Sequence, residues 1–123
     1  MKTGTFDHGV AHFNAREFFK AHEVWEELWL GAADREKALL QGLIQIAAAF
    51  HHYGLGNLRG ARSLATAGMG KLDSHPDGYR GIDVARLVSE TKQWIEGLTA
   101  PAGELRPLPQ IHRIGGARGS GRA

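Results

Sequence analysis

Twelve residues near the middle of the chain, Leu39-Leu40-Gln41-Gly42-Leu43-Ile44-Gln45-Ile46-Ala47-Ala48-Ala49-Phe50, are apolar almost all round a helical wheel. A helix of this kind is covered on several sides, so it occupies the centre of its fold. Asp34 before it is a helix-capping residue, and Gly54-Leu55-Gly56 after it breaks the pattern. The sequence therefore predicts a central helix over about Arg35–Tyr53, and the other elements are read as its cover.

Asn14 is a good N-cap, with Glu17 at the position of a capping box. Phe13 is placed to staple against Phe18, and a helix is predicted from about Ala15 to Leu30, ended by Gly31. Asn57 caps a third helix, with the stripe Leu58, Ala61, Ala65, Met69 and Leu72. Asp83 caps a fourth, about Val84–Leu98, with Leu87, Thr91 and Trp94 facing inward. Ser74 to Gly81 reads as a turn from its Pro, Asp and Gly content. No β pattern and no internal repeat is present. Short connections give antiparallel neighbours, and the fold class is all-α: an antiparallel up-and-down bundle of about four helices with the second helix central.

The domain organisation follows. Residues 1–12 are read as a loose N-terminal arm, because Gly4 and Gly9 disfavour a helix there. Residues 13–99 form the bundle. Residues 100–123 form an extended, partly disordered tail, since Pro101, Pro107 and Pro109 exclude further helix; Leu108 and Ile111 are its docking residues.

One helix face is awkward. On the first predicted helix, Phe18, Phe19, His22, Trp25, Glu26 and Trp29 share a broad face that ought to be apolar. It carries an imidazole and a carboxylate spaced i,i+4, close enough to touch. On the central helix, Gln41, Gln45, Ala48 and His52 fall within about 40° of one another. If the two helices pack antiparallel, Trp29 meets Gln41, Glu26 meets Gln45, and His22 meets Ala48 or His52.

Two functional readings follow. In one, the cluster lines a pocket. His22, Glu23 and Glu26 are the acid/base candidates of a hydrolase-like site, and Trp25, Trp29, Gln41 and Gln45 line a small polar ligand. His22, Glu26 and His52 would hold a divalent metal, whose imidazole and carboxylate donors suit Zn, Ni, Mn or Fe. In the other, the chain is a non-enzymatic structural or interaction module whose polar cluster only fixes helix packing. Removing Glu26 would then cost about 3–5 kcal/mol. Recognised metal motifs are absent: His-Glu-x-x-His would need a histidine at position 26.

The bulk properties narrow the classes. There is no cysteine, so disulfides and thiolate chemistry are excluded, which fits a cytoplasmic protein. No run approaches 18 apolar residues, so no membrane helix is expected, and Met1–Asn14 lacks the apolar stretch of a secretion signal. Net charge is only +2, and the tail from Gly103 onward holds four Arg against one Glu. The rest is close to neutral, which argues against a nucleic-acid partner. The oligomeric state is not legible.

These same residues carry a resemblance. Phe13-Asn14, then Phe18-Phe19-x-Ala21-His22-Glu23-x-x-Glu26-x-x-Trp29, then Leu40-Gln41-Gly42-Leu43-Ile44-Gln45 with Ala47-Ala48 and His52, are similar to the family called domain of unknown function 309. Gly56-Asn57-x-x-Gly60-Ala61 and the turn with Pro76 and Tyr79 fit it too, so the resemblance covers about residues 9–98. It implies a small all-helical protein. It places the family's motif positions on His22, Glu23, Glu26, Trp29, Gln41, Gln45 and His52, and it implies no particular activity.

Overall fold

The computed structural model describes residues 2–73, 78–98 and 107–114. The start of the expected turn at 74–77, the linker 99–106 and the expected disordered end at 115–123 lie outside the described residues. Among those described, the chain is all-α with five helices and no strand: α1 (Lys2–Asn14), α2 (Phe18–Gly31), α3 (Asp34–Gly54), α4 (Leu58–Leu72) and α5 (Val84–Leu98). None is long and apolar enough to cross a membrane.

The expected centre is found. α3 packs against both α2 and α4, and only its polar stripe and ends escape burial. Phe19, near the start of α2, touches His51, near the end of α3, so the two helices run antiparallel. At the α3–α4 crossing, a Cβ added to Gly42 would sit 3.0 Å from the Gly68 carbonyl oxygen, and one on Gly68 would sit 2.8 Å from that of Gly42. Two glycines thus let the backbones touch. Phe50 and Trp94 stack edge to face at 4.7 Å between centroids, which joins α5 to α3 and settles both as core residues.

The additional helix, α1, corrects the expectation of a loose arm at residues 1–12. Phe6, Val10 and Phe13 stand at i, i+4 and i+7, and all three are buried. Burying three large apolar side chains contributes several kcal/mol, about 1.5–3 each, against about 1 kcal/mol for a mid-helix glycine. Gly9 is in fact required. A Cβ there would lie 2.2 Å from Trp25 Nε1, so the glycine that argued against a helix is what lets α1 lie flat on the indole. Trp25 Nε1 then donates to the Phe6 carbonyl at 3.3 Å.

Asn14 is the second correction. It caps nothing. α2 begins three residues later than expected, at Phe18, after a turn in which Arg16 has φ 69°. The Asn14 side-chain amide instead pairs with the Ile111 backbone both ways: Nδ2 donates to its carbonyl at 3.0 Å and Oδ1 accepts from its N–H at 2.8 Å. Glu17, freed from the capping box, pairs with His12 Nδ1 at 2.7 Å. The expected staple does form, Phe13 meeting Phe18 at 5.2 Å. The expected docking of Ile111 is realised as well, since its side chain is buried. At the other ends, Asn57 caps α4 through the Gly60 N–H at 2.9 Å, and Asp83 caps α5 through the Arg86 N–H at 3.0 Å. For α3 the cap position falls on Ala33, without a side-chain cap bond, and Asp34, the expected cap, is the first helical residue.

Two glycines in one helix separate packing from propensity. Gly70→Ala meets nothing within 4 Å and is expected to stabilise by about 0.5–1 kcal/mol. Gly68→Ala gains the same propensity but drives its methyl into Ile46 and the Gly42 carbonyl, for a net loss of about 1–2 kcal/mol. Urea denaturation of both variants measures the contrast.

Candidate functional site

α2 splits the face that the sequence joined. Phe18, Ala21 and Trp25 turn inward and are buried. Phe19, His22 and Glu26 turn outward, with Phe19 half exposed. The His22 imidazole lies parallel on the Phe19 ring, centroids 5.7 Å apart. Its Nε2 stands 3.6 Å from Glu26 Oε2, with the two side chains 23% and 55% exposed. Its Nδ1 is buried and has no hydrogen-bond partner, and the same holds for Gln45 Oε1 on α3. The pair is therefore open to water on one side and unsatisfied on the other.

The facing stripe is placed differently from the expectation. His51, not His52, reaches α2, through Phe19 at 5.2 Å. His52 turns aside: its Nδ1 accepts from Asn57 Nδ2 at 3.3 Å, and its ring meets His51 edge to face. Since His51 faces α2 while Gly42 and Ile46 face α4, the stripe Gln41–Gln45–Ala48–His52 lies between them on the outer side of α3. Sequence periodicity finds a stripe, and the rotation of the helix against its neighbours decides what it faces. Among the described residues no three His, Asp or Glu side chains gather as a metal-holding group. The expected trio His22, Glu26 and His52 is thus not assembled.

Of the expected ligand residues, Trp25 is fully buried and its indole N–H is taken by Phe6, so it is a core residue. Trp29 is partly exposed, and Lys37 Nζ lies over its ring at 4.3 Å from the centroid. Gln41 is half-buried. Glu23 is exposed and lines, with Val24, Glu26, Glu27, Trp29 and Leu30, an open groove of about 560 Å³ on the outer face of α2. That groove holds three carboxylates and one indole, and no cation among its lining residues.

A second polar cluster has no counterpart in the sequence reading. The Tyr79 hydroxyl donates to Glu36 Oε2. Arg80 Nη2 reaches the same oxygen at 3.0 Å, and Arg80 Nε donates to the Tyr79 oxygen at 2.8 Å. The guanidinium lies over the Phe6 and Tyr79 rings. The hydrogen bonds from Tyr79 and then Arg80 hold the Glu36 carboxyl below the usual carboxylate range. Burial, and the acceptor Glu36 beside it, push the Tyr79 phenol up to about 12. Arg113 continues the cluster: it donates to the Arg80 carbonyl at 3.3 Å and pairs with Asp7 at 3.0 Å. Every polar group has a partner here, so the cluster is a clasp joining α1, α3, the 78–82 turn and the C-terminal segment. The local sequence showed only a turn, because Glu36 and Tyr79 stand 43 positions apart.

Fold and site define a small all-α domain with an acidic outer groove. The family model of the domain of unknown function DUF309 matches residues 6–64. A conserved hypothetical protein of known structure, from Thermus thermophilus, is 32% identical with a TM-score of 0.60, over 73% of this chain and 94% of that one. An uncharacterized protein of Aquifex aeolicus is 30% identical over 76 residues, 61% of this chain; the match spans only 23% of that relative's length. The chain belongs to the DUF309 family.

Two expectations test these assignments. Glu26→Ala should cost less than about 1 kcal/mol, as befits an exposed i,i+4 pair, rather than the roughly 3–5 kcal/mol of a sealed network. Tyr79→Phe should cost about 1–2 kcal/mol through loss of hydrogen bonds to charged partners. The clasp also gives a pH signature. The Glu36 contribution is present above its unfolded value near 4.5 and is lost as acid protonates it below that. The Tyr79 contribution is present below pH 10 and is lost as the pH rises towards 12. Stability curves of wild type and Tyr79→Phe, followed by circular dichroism, should therefore converge at the alkaline end.

Proposed function

We propose that this protein is a non-enzymatic binding module that takes a small positively charged polar ligand on the outer face of α2. The observation that carries the reading is the groove of about 560 Å³ whose walls hold Glu23, Glu26 and Glu27 around the edge of Trp29. Carboxylates attract a cation, and an indole adds a cation–π face, as Lys37 already illustrates on Trp29. His22 joins through Glu26, its Nε2 3.6 Å from the carboxylate. No serine, threonine or lysine lines the groove, and its carboxylates stand exposed to water, which favours binding over hydrolysis. A divalent ion of the Zn, Ni, Mn or Fe kind would find His22 and Glu26 as its donors, two where structural zinc sites use four. The cysteine-free sequence suits work in a reducing cytoplasm.

L-arginine amide is a suitable probe, with zinc chloride as a parallel arm. Titration followed by nitrogen-15 NMR should shift the Trp29 indole and the Glu23–Leu30 amides saturably, with Kd of about 1 mM or tighter. Glu23→Gln combined with Glu26→Gln should weaken it by about tenfold. Silence at Trp29, or saturation by zinc with a full His22 shift and none from the amide, would overturn the cation reading.

A further inference from the structure

The outer face of α2 has a counterpart on the same molecule. Between α4 and α5 runs a second open groove, of about 660 Å³, lined by Leu58, Arg59, Arg62, Ser63, Thr66, Ala67 and Leu98. Leu58, Ala67 and Leu98 give it apolar surface, and Arg59 and Arg62 bring two guanidinium groups. No carboxylate lines it, and neither arginine has an ion pair among the described residues. The α2 groove is the reverse, with three carboxylates in its lining against the single ammonium of Lys37 over the Trp29 ring. Each groove also has a large exposed leucine in its wall: Leu30 at 72% exposure on α2 and Leu58 at 49% on α4.

We infer that the α4–α5 groove receives the α2 face of a second copy of this chain. Arg59 and Arg62 of one copy pair with Glu23, Glu26 and Glu27 of the other, and Leu30 of one packs on the apolar surface of Leu58 and Leu98 of its partner. This rests on the reading of α2 as a surface for positive groups and names them: they are the guanidiniums of another copy. Charge complementarity selects this occupant, since opposite potentials with apolar centres are what two protein surfaces need to recognise each other. A formal net charge of +2 sets little general repulsion against two copies meeting. The two faces lie on different helices, so contact is reciprocal in a two-fold dimer, or head-to-tail in a longer assembly.

A charge swap tests this with the whole protein. Sedimentation equilibrium of wild type should show a mass above the 13.4 kDa monomer that rises with concentration up to about 1 mM. It should fall as salt is raised from about 0.05 to about 1 M. Arg59→Glu with Arg62→Glu makes both faces acidic; Glu23→Arg with Glu27→Arg makes both basic. Each variant alone should stay monomeric, and an equimolar mixture should associate again. All four positions are exposed, and circular dichroism checks that both variants fold. L-arginine amide should dissociate the wild type by occupying α2.

A wild type that remains at 13.4 kDa throughout, or association that ignores both charge reversals, overturns the inference. So does a monomer whose Arg59 and Arg62 bind phosphatidylglycerol vesicles instead. Arg59→Glu with Arg62→Glu leaves the α2 groove intact and should still bind arginine amide. A monomeric wild type that also binds arginine amide at Trp29 therefore fails this inference alone, while loss of amide binding fails the reading of α2.

Discussion

Everything in this fold leans on the Trp25 indole. It lies fully buried beneath α1, with its N–H on the Phe6 carbonyl and the flat flank of Gly9 against its ring. Phe6 and Phe13 tilt against the same indole at 6.1 and 6.0 Å, and Phe13 passes the contact on to Phe50 and so to Trp94. One aromatic chain thus runs through α1, α2, α3 and α5. A buried indole without an acceptor for its N–H costs about 1–3 kcal/mol. α1 supplies that acceptor along with three apolar side chains, so the N-terminal helix completes the core and does not merely decorate it.

The same helix anchors the far end of the chain. Asn14 at its end grips the Ile111 backbone, and Asp7 along its length holds Arg113. Arg113 in turn donates to the Arg80 carbonyl, and the Ile114 N–H donates to that of Gly81 at 2.7 Å. The 78–82 turn is therefore held from three sides, by α1, by α3 through Glu36, and by residues 111–114. Arg80 sits at φ 49°, a conformation that costs a non-glycine residue about 1 kcal/mol or more. The Glu36 and Tyr79 bonds to its side chain offset that strain.

How much of this was legible depended on whether the cause was local. The central position of α3 followed from an apolar run, which survives in any tertiary context, and the caps at Asn57 and Asp83 followed from single residues whose side-chain oxygens have no competing partner there. α1 was not legible, because its argument is a contact across chain segments: Gly9 reads as a helix breaker until Trp25 is laid against it. Asn14 failed for a related reason. An asparagine amide can cap a helix or mimic a backbone pair, and only the presence of Ile111 decides between them. The candidate site shows both cases. His22 and Glu26 do stand together at i,i+4 as the helix periodicity pointed, but the groove beside Glu26 lies on the outer face of α2 and His52 faces elsewhere, because a wheel fixes a stripe and not the neighbour it meets.

The acidic residues sort by what surrounds them. Asp7, Glu17 and Glu36 each hold a basic partner outside their own helical turn, at 2.7–3.0 Å, and Glu90 accepts from the Gln110 N–H at 3.3 Å and stands 3.6 Å from His112. Those carboxylates are committed to closing the fold. Glu23 and Glu27 have no ion pair among the described residues, and Glu26 has only the looser contact with His22. Placing three such charges within five residues of one helix raises their mutual repulsion, by roughly a few tenths of a kcal/mol for each close pair, and the fold gains no internal bond in return. Charge that stabilises nothing inside the molecule is charge available to something outside it. The two arginines of the α4–α5 groove are in the same position with the opposite sign, and that symmetry of uncommitted charge is what the proposed pairing of the two grooves rests on.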